Sequence, residues 1–239
     1  MNISASYRML DIKPGMAVLD AGCGTGDDAR AMAGIVGASG HVVGLDTSTG
    51  ILEVARARSE AIGIDVEFIQ GDVTDLPFSD DTFDACRSER LLQHLESPVR
   101  GLQEMIRVTK PGGRIFLAEV DCDTLVVDVP AGAIVDKLRA FWATGIQNAT
   151  MGRQIYRLVR DAGLIDIQIQ PQTMIDTADS RAGSQVIDRL AQRAHDAGAL
   201  TGDEHRAWTE YYAKAQQEGR YFQSLSAFAV CGQKPAQEG

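Results

Sequence analysis

The residues best suited to chemistry stand where short apolar runs end. Val18-Leu-Asp-Ala-Gly-Cys-Gly-Thr-Gly26 carries such a run straight into Gly22, Gly24 and Gly26, with a helix expected from about Asp27. Glycines at a strand-to-helix turn permit positive φ and let the backbone lie against a ligand. A tight turn without a ligand is the bland alternative, but the spacing says more. A GxGxxG dinucleotide fingerprint starting at Gly22 needs glycine at position 27, where Asp27 stands beside Asp28. Two carboxylates at a helix N-terminus oppose a pyrophosphate, which wants bare N–H groups there. A zwitterionic amino-acid tail tolerates that turn far better.

Two acidic residues repeat the placement. Val42-Val-Gly-Leu-Asp46 puts Asp46 at the end of the second apolar run, twenty residues after Gly26. A carboxylate there can accept from both hydroxyls of a ribose. Its bland role would be to cap the following helix, which Thr47 or Ser48 can do instead. Val66-Glu-Phe-Ile-Gln-Gly-Asp72 places Asp72 at the end of the third run, where it can take the exocyclic amine of adenine. Ligands of doubly wound sheets bind outside the carboxyl ends of the strands, so the three features converge.

These positions require a parallel sheet. The first 120 residues alternate β-branched runs (Ala17–Leu19, His41–Leu45, Val66–Gln70, Phe83–Cys86, Arg114–Glu119) with helical patterns, the signature of βαβ units. Ser97 and Pro98 open one helix, and Lys110-Pro-Gly-Gly113 is expected to stop it. Residues 121–148 carry no convincing strand. After an irregular start containing Pro130 and Gly132, a helix follows with Ile134, Leu138 and Phe141/Trp142 on one face. An amphipathic helix over Arg153–Ala162, a strand over Asp166–Ile175, helices over Ser184–Ala197 and Gly202–Gln217, and a last strand within Arg220–Gly232 complete the pattern. Thr201 and Glu204 form a capping box at the last helix. His195 and His205 read as exposed helix residues.

Composition sets the class. With 239 residues, 44% hydrophobic and 23% charged, the chain suits one large α/β domain. Thirty-three acidic against 23 basic residues give −10, which disfavours a phosphate-backbone partner. No basic-then-apolar N-terminus and no run of 18 apolar residues occur, so a soluble cytoplasmic protein is expected. Cys23, Cys86, Cys122 and Cys231 form no CxxC pair and read as reduced buried thiols, with no metal site.

DAGCGTG, VVGLD, GDVTDLPF, FDACRSERLLQHL and KPGGRIFLAEVD follow the order and spacing of the class I S-adenosylmethionine (SAM) methyltransferase motifs. The set most resembles the subgroup of ubiquinone/menaquinone C-methyltransferases and secondary-metabolite methyltransferases. It covers residues 18–120 strongly and the remainder by layout. The resemblance implies a three-layer, Rossmann-like α/β fold with a seven-stranded, mostly parallel sheet, its last strand antiparallel. As one domain over 1–239, this would comprise a SAM-binding half (1–120), a helical lid (121–150) and a part completing the sheet and acceptor side (151–234). It also implies SAM contacts from Asp20, Gly22, Gly24, Asp46, Thr47, Asp72 and Val73, with Arg87 or Ser88 near the methionine end. Two features depart from the quinone enzymes: Gln93-His94 replaces their histidine pair, and charged Glu89 and Arg90 stand where neutral residues are usual. A prenylated quinol acceptor therefore does not follow.

Methyl transfer from a sulfonium needs its nucleophile held in line, and needs a base only if that nucleophile starts protonated. Glu89 and His94 are the candidate bases; they face one way if their segment is helical, and the bland readings are a rim charge and a structural histidine. Arg90 reads as a salt-bridge former. The acceptor is expected to be a small molecule, met by Tyr7, Arg8, Phe141, Trp142 and Arg153. The bland role of the Phe141/Trp142 helix is core packing or a homodimer contact. No nucleic-acid or membrane partner is expected. A SAM-binding protein that catalyses another reaction, such as a cyclisation, and a protein or RNA methyltransferase are the alternatives.

Overall fold

In Ala17–Ala21 (β1), successive side chains enter opposite cores: Val18 joins one apolar cluster and Leu19 the other. A strand apolar on both faces must be covered on both, which is how parallel sheets with flanking helices are built. In the computed structural model, which describes residues 3–129, 132–179 and 184–236, the backbone forms two compact units. The first comprises Met1–Glu119, Met151–Gln170 and Phe228–Gly239, the second Val120–Thr150 and Pro171–Ala227.

In the first unit β1 pairs in parallel with His41–Asp46 (β2) on one side and Phe83–Glu89 (β4) on the other. Glu67–Gln70 (β3) lies outside β2, and Thr109–Val120 (β5) beside β4, both parallel. The chain steps outward from β1 to β3 and then returns to β4, so the reversal of strand order falls between β1 and β4. This is the topological switch point at which open α/β sheets bind ligands. Helices Ile3–Met9 (α1), Asp27–Val36 (α2) and Thr49–Ile62 (α3) accompany this half of the sheet. Met32, Val36, Leu52 and Ala55 fill one core with Val18 and Phe116. Pro98–Val108 (α4) and Met151–Asp161 (α6) supply Leu102, Met105, Ile155 and Val159 to the other, with Leu19 and Leu117.

The C-terminal strand, Phe222–Gln233 (β8), neighbours β5, and Ile165–Thr177 (β7) pairs with β8. Lys234 exchanges backbone hydrogen bonds with Gly112 and Gly113, while Asp121 N–H donates to Ser226 carbonyl, so β8 runs against β5. Seven strands of four residues or more thus form the expected mostly parallel sheet with an antiparallel last strand. An eighth, Val126–Val127 (β6), pairs antiparallel with Gln223 and Ser224. It lies in a stretch expected to hold no strand; at two residues it is too short to show alternation.

Lys110-Pro-Gly-Gly113 belongs to β5 instead of a free turn. Pairing jumps from Phe83↔Thr109 to Ala85↔Arg114, so these residues form a bulge that the strand absorbs. Helix α4 has already ended at Val108, and Ser97 occupies its N-cap without a side-chain cap bond. In the second unit, Gly132–Thr144 (α5), Ser184–Asp196 (α7) and Gly202–Gln217 (α8) surround a core of Leu138, Ile187, Leu190, Trp208 and Tyr221. The Thr201–Glu204 capping box is present at α8. Pro130, read as part of the start of α5, lies outside the described residues. No described helix is long and apolar enough to cross a membrane.

Candidate functional site

The glycine turn leaves β1 at its carboxyl end. Gly22, Gly24 and Gly26 have φ of 73°, 54° and 75°, values that a side chain strains to adopt. Two of them are also packed from below: a Cβ on Gly22 would stand 3.1 Å from the Leu91 side chain, and one on Gly26 would stand 2.7 Å from Phe68. A Cβ on Gly24 would meet no atom within 4 Å, so the turn opens there.

Asp46 ties this turn to the next unit of the sheet. Its Oδ2 accepts from Gly24 N–H at 3.0 Å and its Oδ1 from Ser48 N–H at 3.0 Å. Ser48, not Asp46, is the N-cap of α3 and accepts from Ile51 N–H. Each Asp46 oxygen retains a further lone pair, and Thr47 follows directly. Asp72 is exposed two residues beyond β3, its Oδ1 accepting from Thr74 N–H at 2.8 Å. The Val73 side chain is instead buried among Leu76, Leu102 and Met105, so only its main chain can meet a ligand.

The end of β4 carries a cluster that its sequence positions only hint at. Register sets Arg87 beside Asp20 of β1 and Phe116 of β5. Arg87 is 2% exposed; it pairs with Asp20 at 3.0 Å, Asp28 at 2.8 Å and also Glu89, and lies 5.9 Å from the Phe116 ring centre. Burial alone would lower the Arg87 pKa, but the three carboxylates hold its charge more firmly than usual. Burial pushes Asp20 up to about 6 against the pull of Arg87. Tyr7 of α1 donates to Asp28 at 2.6 Å, and burial with that carboxylate raises its hydroxyl pKa far above the ordinary value. Asp27 is neutralised separately by Arg30 and Arg58.

Beyond β4 the chain makes a strained bend. Arg90 has φ 55° and donates from its N–H to Ala118 carbonyl at 2.8 Å. Leu92–His94 is a single tight turn, so Glu89 and His94 do not share a helix face as expected: one ends a strand and the other ends that turn. Glu89 is held by Arg87, and exposed His94 contacts Gln93 at 3.0 Å. Arg90 reaches Glu89 only at 4.0 Å and is mostly exposed. The residue that composition patterns missed is Glu119. It is fully buried near the end of β5, accepts from Leu91 and Leu92 N–H at 3.0 and 2.7 Å, and burial pushes it up to about 7. A glutamate inside the apolar run Ile-Phe-Leu-Ala-Glu-Val was the available signal.

Asp20 Oδ2, Ser88 Oγ and Glu119 Oε2 are buried without a hydrogen-bond partner among the described residues. Ser59 Oγ, Trp208 Nε1 and Gln216 Nε2 are unpaired away from this edge as well, so these atoms leave the edge with open polar positions without by themselves marking it as a site. The fold therefore gathers Asp20, Gly22, Gly24, Asp46, Thr47, Asp72, Arg87, Ser88 and Tyr7 within one unit, along the carboxyl ends of β1 to β4. Arg8 and Arg153 are exposed on α1 and α6 of that unit. Phe141 and Trp142 belong to the second unit, where they pack against its own core. His195 and His205, read as exposed, are half-buried and stacked with ring centres 4.6 Å apart. All four cysteines are buried free thiols.

A methyltransferase-domain family model matches residues 12–163. An uncharacterised 37.1 kDa protein of a Streptomyces fradiae transposon is 34% identical over 96% of this chain and 66% of its own length. Demethylmenaquinone methyltransferase of Bacillus cereus is 41% identical over 51% of this chain and 52% of its own. The chain thus spans about half to two thirds of the curated relatives it matches. Phosphoethanolamine N-methyltransferase 2 of Haemonchus contortus, solved with S-adenosyl-L-methionine, superposes with a TM-score of 0.61. That match has 21% identity and covers 98% of this chain and 52% of that one, a likeness of fold.

Proposed function

The chain belongs to the class I SAM-dependent methyltransferase family, and from that premise we propose that it binds SAM along the carboxyl ends of β1 to β4 and methylates a small-molecule acceptor. The observation that carries this reading is the charge and donor set of the edge. Asp20, Asp28 and Glu89 gather around Arg87, while the other buried cation here, Arg30, is matched by Asp27, so the edge favours a ligand with positive groups, such as an ammonium and a sulfonium. A pyrophosphate would meet Asp27 and Asp28 at the start of α2.

When bound, SAM supplies an electrophilic methyl that a nucleophile takes by in-line displacement. The residues present fit its parts. The open turn at Gly24 admits the amino-acid tail, with Asp20, Gly22, Arg87 and Ser88 around it. Asp46 and Thr47 hold the ribose, and Asp72 with the main chain of Val73 holds the adenine. None of these groups has to change protonation, which suits catalysis by orientation. Glu89 is committed to Arg87, which leaves His94 as the candidate base for an acceptor whose nucleophile starts protonated. Acceptor choice is assigned to Tyr7, Arg8 and residues 121–153, including Phe141, Trp142 and Arg153, within secondary or quinone-like metabolism. The test is incubation with labelled SAM and fractionated small-molecule extract, followed by mass spectrometry. A product heavier by one labelled methyl group supports the proposal; an isomerised product of unchanged mass, or no label transfer from any fraction, contradicts it.

A further inference from the structure

We propose that Glu119 is a positioning residue for the SAM site, acting through Leu91–Leu95 without touching the ligand. The inference rests on the functional reading above and adds a residue to it. Where β4 ends, three successive N–H groups lose the partners a strand would give them. Arg90 recovers one from Ala118 carbonyl, and Glu119 Oε1 takes the other two, from Leu91 and Leu92. Buried N–H groups must be paired, so a side-chain acceptor at position 119 fixes the path of the segment.

That path matters because the segment underlies both ends of the site. The Leu91 side chain packs directly beneath Gly22, 3.1 Å from where a Cβ would stand. Four residues on, Leu95 packs into the notch at Gly101, 2.8 Å from where a Cβ would stand there, and Val73 closes the same notch at 3.4 Å. Gly22 belongs to the turn assigned to the amino-acid tail, and Val73 follows the carboxylate assigned to adenine. One buried acceptor therefore sets the floor under two subsites, although it lies 28 residues from Leu91 in the chain.

Glu119→Gln keeps a carbonyl oxygen able to accept both N–H groups, whereas Glu119→Ala keeps none. SAM affinity by calorimetry, read well below the melting temperature, and amide exchange of Leu91 and Leu92 by NMR separate the outcomes. Glu119→Ala is expected to weaken SAM binding roughly tenfold or more and to speed both amides by at least as much, while Glu119→Gln stays within about threefold on both. A folded Glu119→Ala protein that binds SAM within about twofold of wild type overturns the proposal. So does a Glu119→Gln protein as weak as Glu119→Ala, since a purely structural role would lower melting temperature without this split. If Glu119→Ala does not fold, Leu91→Ala tests the next link and should weaken SAM at least about threefold with circular dichroism unchanged; unaltered affinity overturns the proposal. Wild-type protein that binds no SAM refutes the functional reading, and slow Leu91 and Leu92 amides in Glu119→Ala would still refute the pin.

Discussion

The carboxyl edge of the first unit and the aromatic core of the second are built on opposite principles. At the edge, a charged cluster is buried, Arg90 is held at positive φ, and Asp20, Ser88 and Glu119 each keep an unpaired buried atom. Around Trp208 the chain relies on area and ring geometry: Tyr212 stacks 6.3 Å away and Tyr221 meets Tyr212 edge-on at 5.2 Å. The edge carries costs that packing alone does not explain, as ligand sites do. The aromatic core also leaves a buried atom, Trp208 Nε1, without a partner among the described residues, but it rests on ring contacts where the edge rests on a buried ion-pair cluster. Stability should thus respond to substitutions in both regions, and SAM affinity only to those at the edge.

The largest effects probe that division. Arg87→Ala strands three carboxylates, one of them (Asp20) fully buried and two half-buried, and should cost about 3–5 kcal/mol of stability and abolish measurable SAM binding. Trp208→Ala should cost a similar amount, about 3–5 kcal/mol, yet the folded fraction should bind SAM normally. Urea melts paired with SAM titrations check both; equal losses of affinity in the two variants would erase the distinction.

The next effect is a pH dependence. The Glu119 carboxyl titrates near 7 in the fold and lower when unfolded. Its contribution therefore favours the folded chain fully at acid pH and is lost as pH rises through about 7. Asp20, at about 6, acts in the same direction. Glu119→Gln removes the first loss, so its melting temperature should exceed wild type progressively from pH 5 to 8, toward a gain on the order of 3 kcal/mol. A difference that stays flat with pH would show that Glu119 is not the buried acid described.

Legibility followed the same division. The glycine turn, Asp46 and Asp72 could be read because their roles depend on local position at strand ends. The Arg87 cluster could not, because it is made by register: Asp20 and Arg87 meet only once β1 and β4 pair, and Asp28 and Tyr7 only once α1 and α2 pack. Glu89 and His94 would share a face only on a helix, and the strained bend at Arg90 followed by a tight turn stands there instead. The two-residue β6 and the strand-borne Lys110–Gly113 bulge depend on partners far along the chain. Phe141 and Trp142 show apolar helical spacing, which fits a core as well as a substrate wall.

A smaller effect sharpens the cofactor assignment. Asp72→Ala should weaken SAM by about 1–3 kcal/mol without altering far-UV circular dichroism, since the side chain is exposed and, among the described residues, bonds to Thr74 N–H within its own loop. Normal binding would remove it from the adenine subsite. Smallest of all, Phe141→Ala and Arg153→Ala should change acceptor turnover while leaving SAM affinity within about twofold, the error range of roughly 0.5 kcal/mol; lowered SAM affinity with unchanged acceptor preference would contradict that assignment.

The central claim, that the carboxyl edge takes SAM and not a dinucleotide, is tested most directly by calorimetric titration of the wild-type protein with SAM, S-adenosylhomocysteine and NAD in turn. SAM and S-adenosylhomocysteine should each bind with Kd in roughly the micromolar range, and NAD should give no heat of binding; NAD binding without SAM binding would contradict the account.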